Sequence, residues 1–215
     1  MKALIFDLDG TLLNTLADLR DCTNFALKKF GFPTRTTEEI RNFVGNGLRM
    51  LIRRAVPDTA DEATVDAVLS EMKAHYRIHF HDGTVPYDGV LEMLREFKQA
   101  GYPMAIVSNK ADPIVQLLRE VYFADLIDVA VGERSDLPRK PAPDMVHWAL
   151  EQLGCTDGYY IGDSEVDVQT AKNAALPCLA VSWGFRSAAV LISAGAEHIF
   201  QTPQELCEAI RKRVE

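Results

Sequence analysis

The chain has 215 residues, 47% hydrophobic and 25% charged, the balance of an ordinary soluble globular protein and not of a disordered one. Its formal net charge of -8 repels phosphate backbones and argues against nucleic-acid partners, while leaving room for a local positive pocket that holds a small anion. No segment approaches the roughly 20 apolar residues of a membrane-spanning helix, and Cys22, Cys155, Cys178 and Cys207 form no CxxC pair, as expected of small buried hydrophobes in a reducing compartment.

The first apolar run, residues 3–6, is too short for a signal peptide and lacks a small-residue cleavage site, which gives the expectation of a cytoplasmic protein. It reads as a buried strand. Asp7-Leu8-Asp9-Gly10-Thr11-Leu12 follows directly. Two carboxylates two residues apart at the end of a strand project into the crevice where open α/β sheets bind ligands, and Gly10 permits an unusual backbone just beyond them. Asp-x-Asp-Gly also opens calcium loops. Here, however, the twelfth position counted from Asp7 is Asp18 and not Glu, and Thr11 stands where a third acidic ligand belongs.

From about residue 15 to residue 81 the sequence carries helical patterns and no convincing strand. Leu16, Leu19, Thr23, Ala26, Leu27 and Phe30 recur at helical spacing and stop at Gly31-Phe32-Pro33. Further helices are expected over 37–44, over 48–55 after Gly45-Asn46-Gly47, and over about 61–80. Such a block is too long for a strand-to-helix connection. It predicts an all-helical domain, residues 15–81, inserted into a core made of 1–14 and 82–215, with 81–86 as the return hinge. His75 and His79 are spaced i, i+4 with His81 nearby; no motif places an acidic partner beside them, so they read as an exposed helix face before a metal site.

Beyond the insertion, residues 104–107, 129–131, 159–161 and 179–181 read as further buried strands. Between them Ile114, Val115, Leu117, Leu118 and Val121 form one helical stripe, and Val146, Ala149, Leu150 and Leu153 another. Pro113 and Pro143 stand near the starts of these helices, and Gly101 and Gly154 follow helical stretches as stop signals do. The alternation argues for an α/β fold with a parallel sheet covered on both faces. Trp148 reads as core packing, and Trp183-Gly184-Phe185-Arg186 follows the last clear strand, with Arg186 a possible substrate contact.

Three further groups bear on chemistry. Ser108-Asn109 follows the 104–107 strand and offers a hydroxyl and an amide where a phosphoryl oxygen could sit. Lys140, in Arg139-Lys140-Pro141-Ala142-Pro143-Asp144, could neutralise charge on a transferring phosphoryl group, although a lone lysine before proline is ordinarily a solvated loop residue. Gly162-Asp163-Ser164-Glu165-Val166-Asp167 follows the 159–161 strand. If the first strand and this one are parallel neighbours, Asp7, Asp9 and Asp163 converge, and carboxylates that close repel one another unless a cation intervenes. A hard divalent ion with oxygen ligands, Mg2+ above all, suits such a site. The bland alternative is that Asp163 and Asp167 cap and charge a helix start.

The ordered set Asp-x-Asp-Gly-Thr, Ser-Asn, Lys-Pro and Gly-Asp-x-x-x-Asp resembles the haloacid dehalogenase superfamily of phosphohydrolases over nearly the whole chain. The resemblance implies a Rossmann-like parallel-sheet core with an inserted helical cap. It implies that Asp7 attacks phosphorus to form an aspartyl-phosphate, and that Asp9 protonates the leaving oxygen and then activates water. Ser108 and Lys140 would hold the phosphoryl oxygens, with Thr11 and Asn109 beside the substrate. Asp7, the Asp9 carbonyl and Asp163 would bind Mg2+, and Asp167 would bind it directly or support a ligand. An acid at Asp9 favours phosphoryl transfer over carbon–halogen cleavage.

Val44-Gly45-Asn46-Gly47 leading to Arg49, together with the stretch from Gly162 to Ala174, is similar to phosphoglycolate phosphatases. A Gly-Asn-Gly turn opening a helix presents free N–H groups to a substrate carboxylate, with Arg49 assisting, or is a simple inter-helix turn. Asn14 stands where relatives often carry Asp. The expectation is a small phosphorylated metabolite as substrate, 2-phosphoglycolate first, and a monomer or homodimer with no membrane partner. Pyrophosphate, nucleotide and sugar phosphatases, and a β-phosphoglucomutase-like phosphomutase, share most of the core. A phosphate-binding protein without turnover is disfavoured because Asp7, Asp9 and Lys140 are all present. A receiver domain is disfavoured because it needs only about 120 residues and no cap.

Overall fold

Burial decides the first strand. A computed structural model describes residues 2–212. In it β1 (Ala3–Phe6) is fully buried, and its alternate side chains serve opposite faces of one sheet. Ala3 and Ile5 join a cluster with Met145, Val146 and Ala149, while the Phe6 ring lies 6.5 Å from that of Phe97. A strand buried on both faces has no polar positions to alternate, which is why it reads as a continuous apolar run.

In chain order β1 is followed by β2 (Leu13–Asn14), α1 (Leu16–Lys29), α2 (Thr37–Phe43), α3 (Gly47–Ala55), α4 (Glu62–Tyr76) and β3 (Val85–Pro86). Then come α5 (Val90–Gln99), β4 (Met104–Ala111), α6 (Asp112–Phe123), β5 (Val129–Glu133), α7 (Asp144–Gln152) and β6 (Gly158–Gly162). The described chain ends with α8 (Glu165–Asn173), β7 (Cys178–Val181), α9 (Ala188–Ser193), β8 (His198–Phe200) and α10 (Pro203–Lys212).

The chain divides into two compact units, residues 2–13 with 86–212, and Asn14–Val85. The larger unit holds a six-stranded sheet of order β5-β4-β1-β6-β7-β8, every pairing parallel. Connections leave β1 toward β4 on one side and β6 toward β7 on the other. The strand order therefore reverses between β1 and β6, and the carboxyl ends of those two strands flank the crevice that such a reversal opens. β2 and β3 pair with each other where the chain passes from one unit to the other and back.

The smaller unit is a packing of four helices, α1 against α2 and α4, and α3 against α2 and α4. Leu16, Leu19, Thr23, Ala26 and Leu27 of the predicted α1 stripe are buried, whereas Phe30 lies beyond the helix and is exposed. Thr36 and Glu39 form a reciprocal capping box at the start of α2, and Asp61 caps α4 by accepting from the Thr64 N–H. Asn14 accepts from the Leu16 N–H at 3.4 Å at the opening of α1. Asp18, buried on α1, accepts from the Gly83 N–H at 2.7 Å and the Thr84 hydroxyl at 2.6 Å, tying the return segment to the first helix.

Two expected boundaries move. The fourth helix, expected to about residue 80, stops at Tyr76. The His75 carbonyl accepts from both Ile78 and His79, which tightens the chain into a turn, and the buried Phe80 had extended the apolar pattern past the helix. The 104–107 run continues to Ala111 as β4, with a break in register against β5 between Val107 and Ala111. His75 is stacked on Phe25 with ring centroids 3.8 Å apart, and His79 Nδ1 lies 2.7 Å from Asp82 Oδ2, an acidic neighbour the sequence had not placed there. All four cysteines are free. Among the described residues no helix is long and apolar enough to cross a membrane.

Candidate active site

Asp7 stands at the carboxyl end of β1, and the chain turns sharply beyond it because the N–H groups of Leu12 and Leu13 both donate to the Leu8 carbonyl at 3.0 Å. Gly10 lies in this turn with φ 92°, where a Cβ would come within 2.3 Å of Asp163 Oδ2. Only glycine serves both conditions, a left-handed backbone and so close an approach.

Asp163 follows β6, and its carboxylate accepts from the Phe185 N–H at 2.6 Å and from the Thr11 hydroxyl at 3.4 Å. The Trp183 indole donates to the Thr11 carbonyl at 2.9 Å, so the loop after β7 is fastened to the turn after β1. Asp167 sits one turn into α8 as half of a capping box with Ser164, and the helix-start reading is therefore correct for this residue. The same carboxylate also does something else. Its Oδ2 accepts from the Ser164 N–H and hydroxyl, while its Oδ1 accepts from Lys140 Nζ at 2.8 Å and from the Tyr160 hydroxyl at 3.1 Å.

Lys140 is buried and reaches from the segment before α7 to both Asp7 and Asp167, 2.8 Å from an oxygen of each. Asn109 donates to the Lys140 carbonyl at 3.0 Å, which pins that segment to the end of β4. Ser108 is buried beside it and accepts from the Lys110 N–H at 3.3 Å. Asp9, which the sequence had expected to converge with Asp7 and Asp163, is held instead by Lys110 Nζ at 2.8 and 3.0 Å.

Asp7, Asp163 and Asp167 each offer one oxygen, all within 4.8 Å of one another. Two of these three buried carboxylates, Asp7 and Asp167, share the Lys140 ammonium, and the electrostatics follow. Burial, then the Asp167 charge, pushes the Asp7 carboxyl up to about 7 against the opposing pull of Lys140. Burial, then Asp167 and Asp7, drives Asp163 well above the usual carboxylate range. For Lys140 burial works downward, and the charges of Asp167 and Asp7 overcome it, so its ammonium is held well above the ordinary lysine value. Burial likewise raises the Tyr160 phenol, which leaves it a donor to Asp167. A cluster of hard oxygen donors that resists ionising without added positive charge fits a hard divalent cation.

Of the predicted site residues, Asp7, Asp9, Thr11, Ser108, Asn109, Lys140 and Asp163 lie at the carboxyl end of the sheet or in the segments that follow its strands, and Asp167 lies in the first turn of α8. Gly45, Asn46 and Arg49 lie in the helical unit. There the Asn46 amide oxygen accepts from Arg54 at 2.9 Å, and Arg49 pairs with Glu62 and with Asp66 at 3.2 Å, so both side chains already have partners. Arg186 pairs with Glu165 at 3.1 Å. Trp148 packs against the sheet core, with the Arg134 guanidinium 4.7 Å from its ring centre. Sequence reasoning missed Lys110 and Tyr160. The available signal was position alone, a lysine two residues past Ser108 and a tyrosine inside the strand that ends at Asp163.

A family model for "Haloacid dehalogenase-like hydrolase" matches residues 4–181. The chain belongs to this family. A phosphoglycolate phosphatase of Rhodobacter capsulatus is 35% identical over 188 residues, covering 86% of this chain and 85% of that protein. One from Pseudomonas syringae pv. tomato is 34% identical, covering 86% of this chain and 70% of its own. Among solved structures, a Lactobacillus delbrueckii subsp. bulgaricus protein assigned as a phosphoglycolate phosphatase superposes with a TM-score of 0.93 at 38% identity, covering 97% of this chain and 98% of that one. The Rossmann-like core of this haloacid dehalogenase-like hydrolase is thus the family fold.

Proposed function

We propose that this hydrolase is a Mg2+-dependent phosphatase that cleaves a small phosphate monoester, 2-phosphoglycolate before others. Phosphatase activity rests on the family and on relatives named phosphoglycolate phosphatase over most of the chain. The observation that carries the chemistry is the convergence of Asp7, Asp163 and Asp167 with Lys140 at the strand-order reversal.

Asp7 attacks phosphorus, an Asp7 oxygen–phosphorus bond forms, and the bond to the ester oxygen breaks. Asp9 gives its proton to that departing oxygen, releasing an alcohol. Water then attacks the aspartyl-phosphate, Asp9 accepts its proton, and phosphate leaves with Asp7 restored. Lys140 and Ser108 hold the phosphoryl oxygens, with Thr11 and Asn109 lining the same end of the core unit. Asp7, Asp163 and the Asp9 carbonyl are the groups that would hold Mg2+, which when bound supplies positive charge to the transferring phosphoryl group. All four donors on Asp167 favour a role in positioning Lys140 over direct ligation. Gly45, Asn46 and Arg49 are the candidates for reading the substrate carboxylate, which requires Arg49 to exchange Glu62 and Asp66 for it.

The test is phosphate release from 2-phosphoglycolate, pyrophosphate, nucleotides and hexose phosphates, with and without Mg2+. Turnover is expected only with the metal, with kcat/KM highest for 2-phosphoglycolate. Asp7→Asn is expected to lose at least about a thousandfold in kcat, because an amide cannot replace the carboxylate as nucleophile. Persistent turnover in that variant overturns the mechanism, and a clear preference for a hexose phosphate overturns the substrate.

A further inference from the structure

Among the described residues two lysines are buried in the core unit, and they divide three of the site's carboxylates between them. Lys140 serves Asp7 and Asp167, whereas Lys110 serves Asp9. Both Asp9 oxygens lie within hydrogen-bond distance of the Lys110 ammonium, whose side chain is only 2% exposed against 15% for Asp9. Enclosing a lysine and a carboxylate costs about as much desolvation as their attraction returns, so such a pair is weak support for a fold. Its effect is geometric. An ammonium bridging both oxygens fixes the plane of the carboxylate and keeps it from turning toward Asp7, two residues away, and so from joining the group formed by Asp7, Asp163 and Asp167. β4 supplies the means. Its strand continues through Ala111, so Lys110 is delivered from the same strand end as Ser108 and Asn109.

We propose that Lys110 is a positioning residue for Asp9, aiming its carboxyl at the departing ester oxygen and keeping it out of the neighbouring carboxylate cluster. This rests on the reading of Asp9 as the acid for the leaving group. An acid matters most when the departing oxygen is basic, as in the alkoxide of 2-phosphoglycolate, and least when it is the p-nitrophenolate of an aryl phosphate. kcat/KM covers the steps up to departure of that oxygen, so the ratio of kcat/KM for the two esters isolates the acid's contribution.

The experiment measures that ratio with Mg2+ for the full chain and for Lys110→Met, Lys110→Arg, Asp9→Asn and the Asp9→Asn/Lys110→Met double variant. Lys110→Met is expected to lose at least about tenfold more on 2-phosphoglycolate than on p-nitrophenyl phosphate, within the usual range of general-acid effects. Lys110→Arg, which keeps a cation able to bridge both oxygens, is expected to recover part of the ratio. In the double variant the ratio should be no lower than in Asp9→Asn, since Lys110 acts only through Asp9. Equal losses on both esters in Lys110→Met, or additive losses in the double variant, overturn the proposal while Asp9 keeps its role. If Asp9→Asn itself leaves the ratio unchanged, the acid assignment fails and the Lys110 inference falls with it. Should Lys110→Met not fold, Lys110→Gln, which also removes the cation, takes its place, and equal losses on both esters in that variant would overturn the proposal equally.

Discussion

Asp163 illustrates how a single side chain at this site trades stability for charge. It accepts from the Phe185 N–H through Oδ2 and from the Thr11 hydroxyl through Oδ1; an amide keeps the first bond with its oxygen and reverses the second, its NH2 donating to the Thr11 hydroxyl. Asp163→Asn therefore keeps the geometry and removes one of three buried negative charges. The metal-free variant is expected to be more stable than the parent at pH 8 by on the order of 1 kcal/mol, read from urea midpoints, and to lose its stabilisation by Mg2+. A destabilised variant would show that the Asp163 charge is already neutralised by the protein. Legibility also varied residue by residue. Asp7, Ser108 and Asp163 announce themselves because each ends an apolar run that reads as a strand. Lys110 and Tyr160 do not, since a lysine in a polar triplet reads as solvated and a tyrosine in a strand reads as core until their partners are known.

At the level of elements, the junction of β6 with α8 is the most constrained. A Cβ on Gly162 would lie 2.4 Å from the Asp167 Cβ, closer than side-chain atoms tolerate. Gly162→Ala is expected to destabilise the protein by about 1–3 kcal/mol in urea unfolding and to impair turnover, because Asp167 must shift and Lys140 with it. An alanine accepted without cost would mean that α8 can slide away from the strand. The five buried strands of the core were legible from their apolar content alone. β8 was not: it is three residues long, opens on an exposed histidine, and its other two residues are only half-buried at the sheet edge. β2 and β3, two residues each, are set by their mutual pairing and leave no periodic trace.

Over the whole molecule, the unpaid charge at the site makes stability depend on pH. The Asp7 carboxyl titrates near 7 when folded and near 3.8 when unfolded, so the folded state binds its proton more tightly. Its contribution to stability is fully present below about pH 4 and is lost as the pH rises through 7, and Asp163 acts in the same direction. In chelator the melting temperature is expected to fall between pH 5 and pH 8 by an amount corresponding to a few kcal/mol, and added Mg2+ should raise it far more at pH 8 than at pH 5. A flat profile would indicate that the carboxylates are not in charge conflict. By itself the sequence determined the parallel α/β core, the existence of a helical insertion and the ends of the strands where the acidic residues stand, because these follow from local apolar periodicity and from motifs a few residues long. Tertiary structure alone decided the order β5-β4-β1-β6-β7-β8 and the division of the carboxylates between Lys140 and Lys110. Both depend on which strand ends meet, and residues 101 positions apart in the chain carry no local signal that they will share a proton-sized gap.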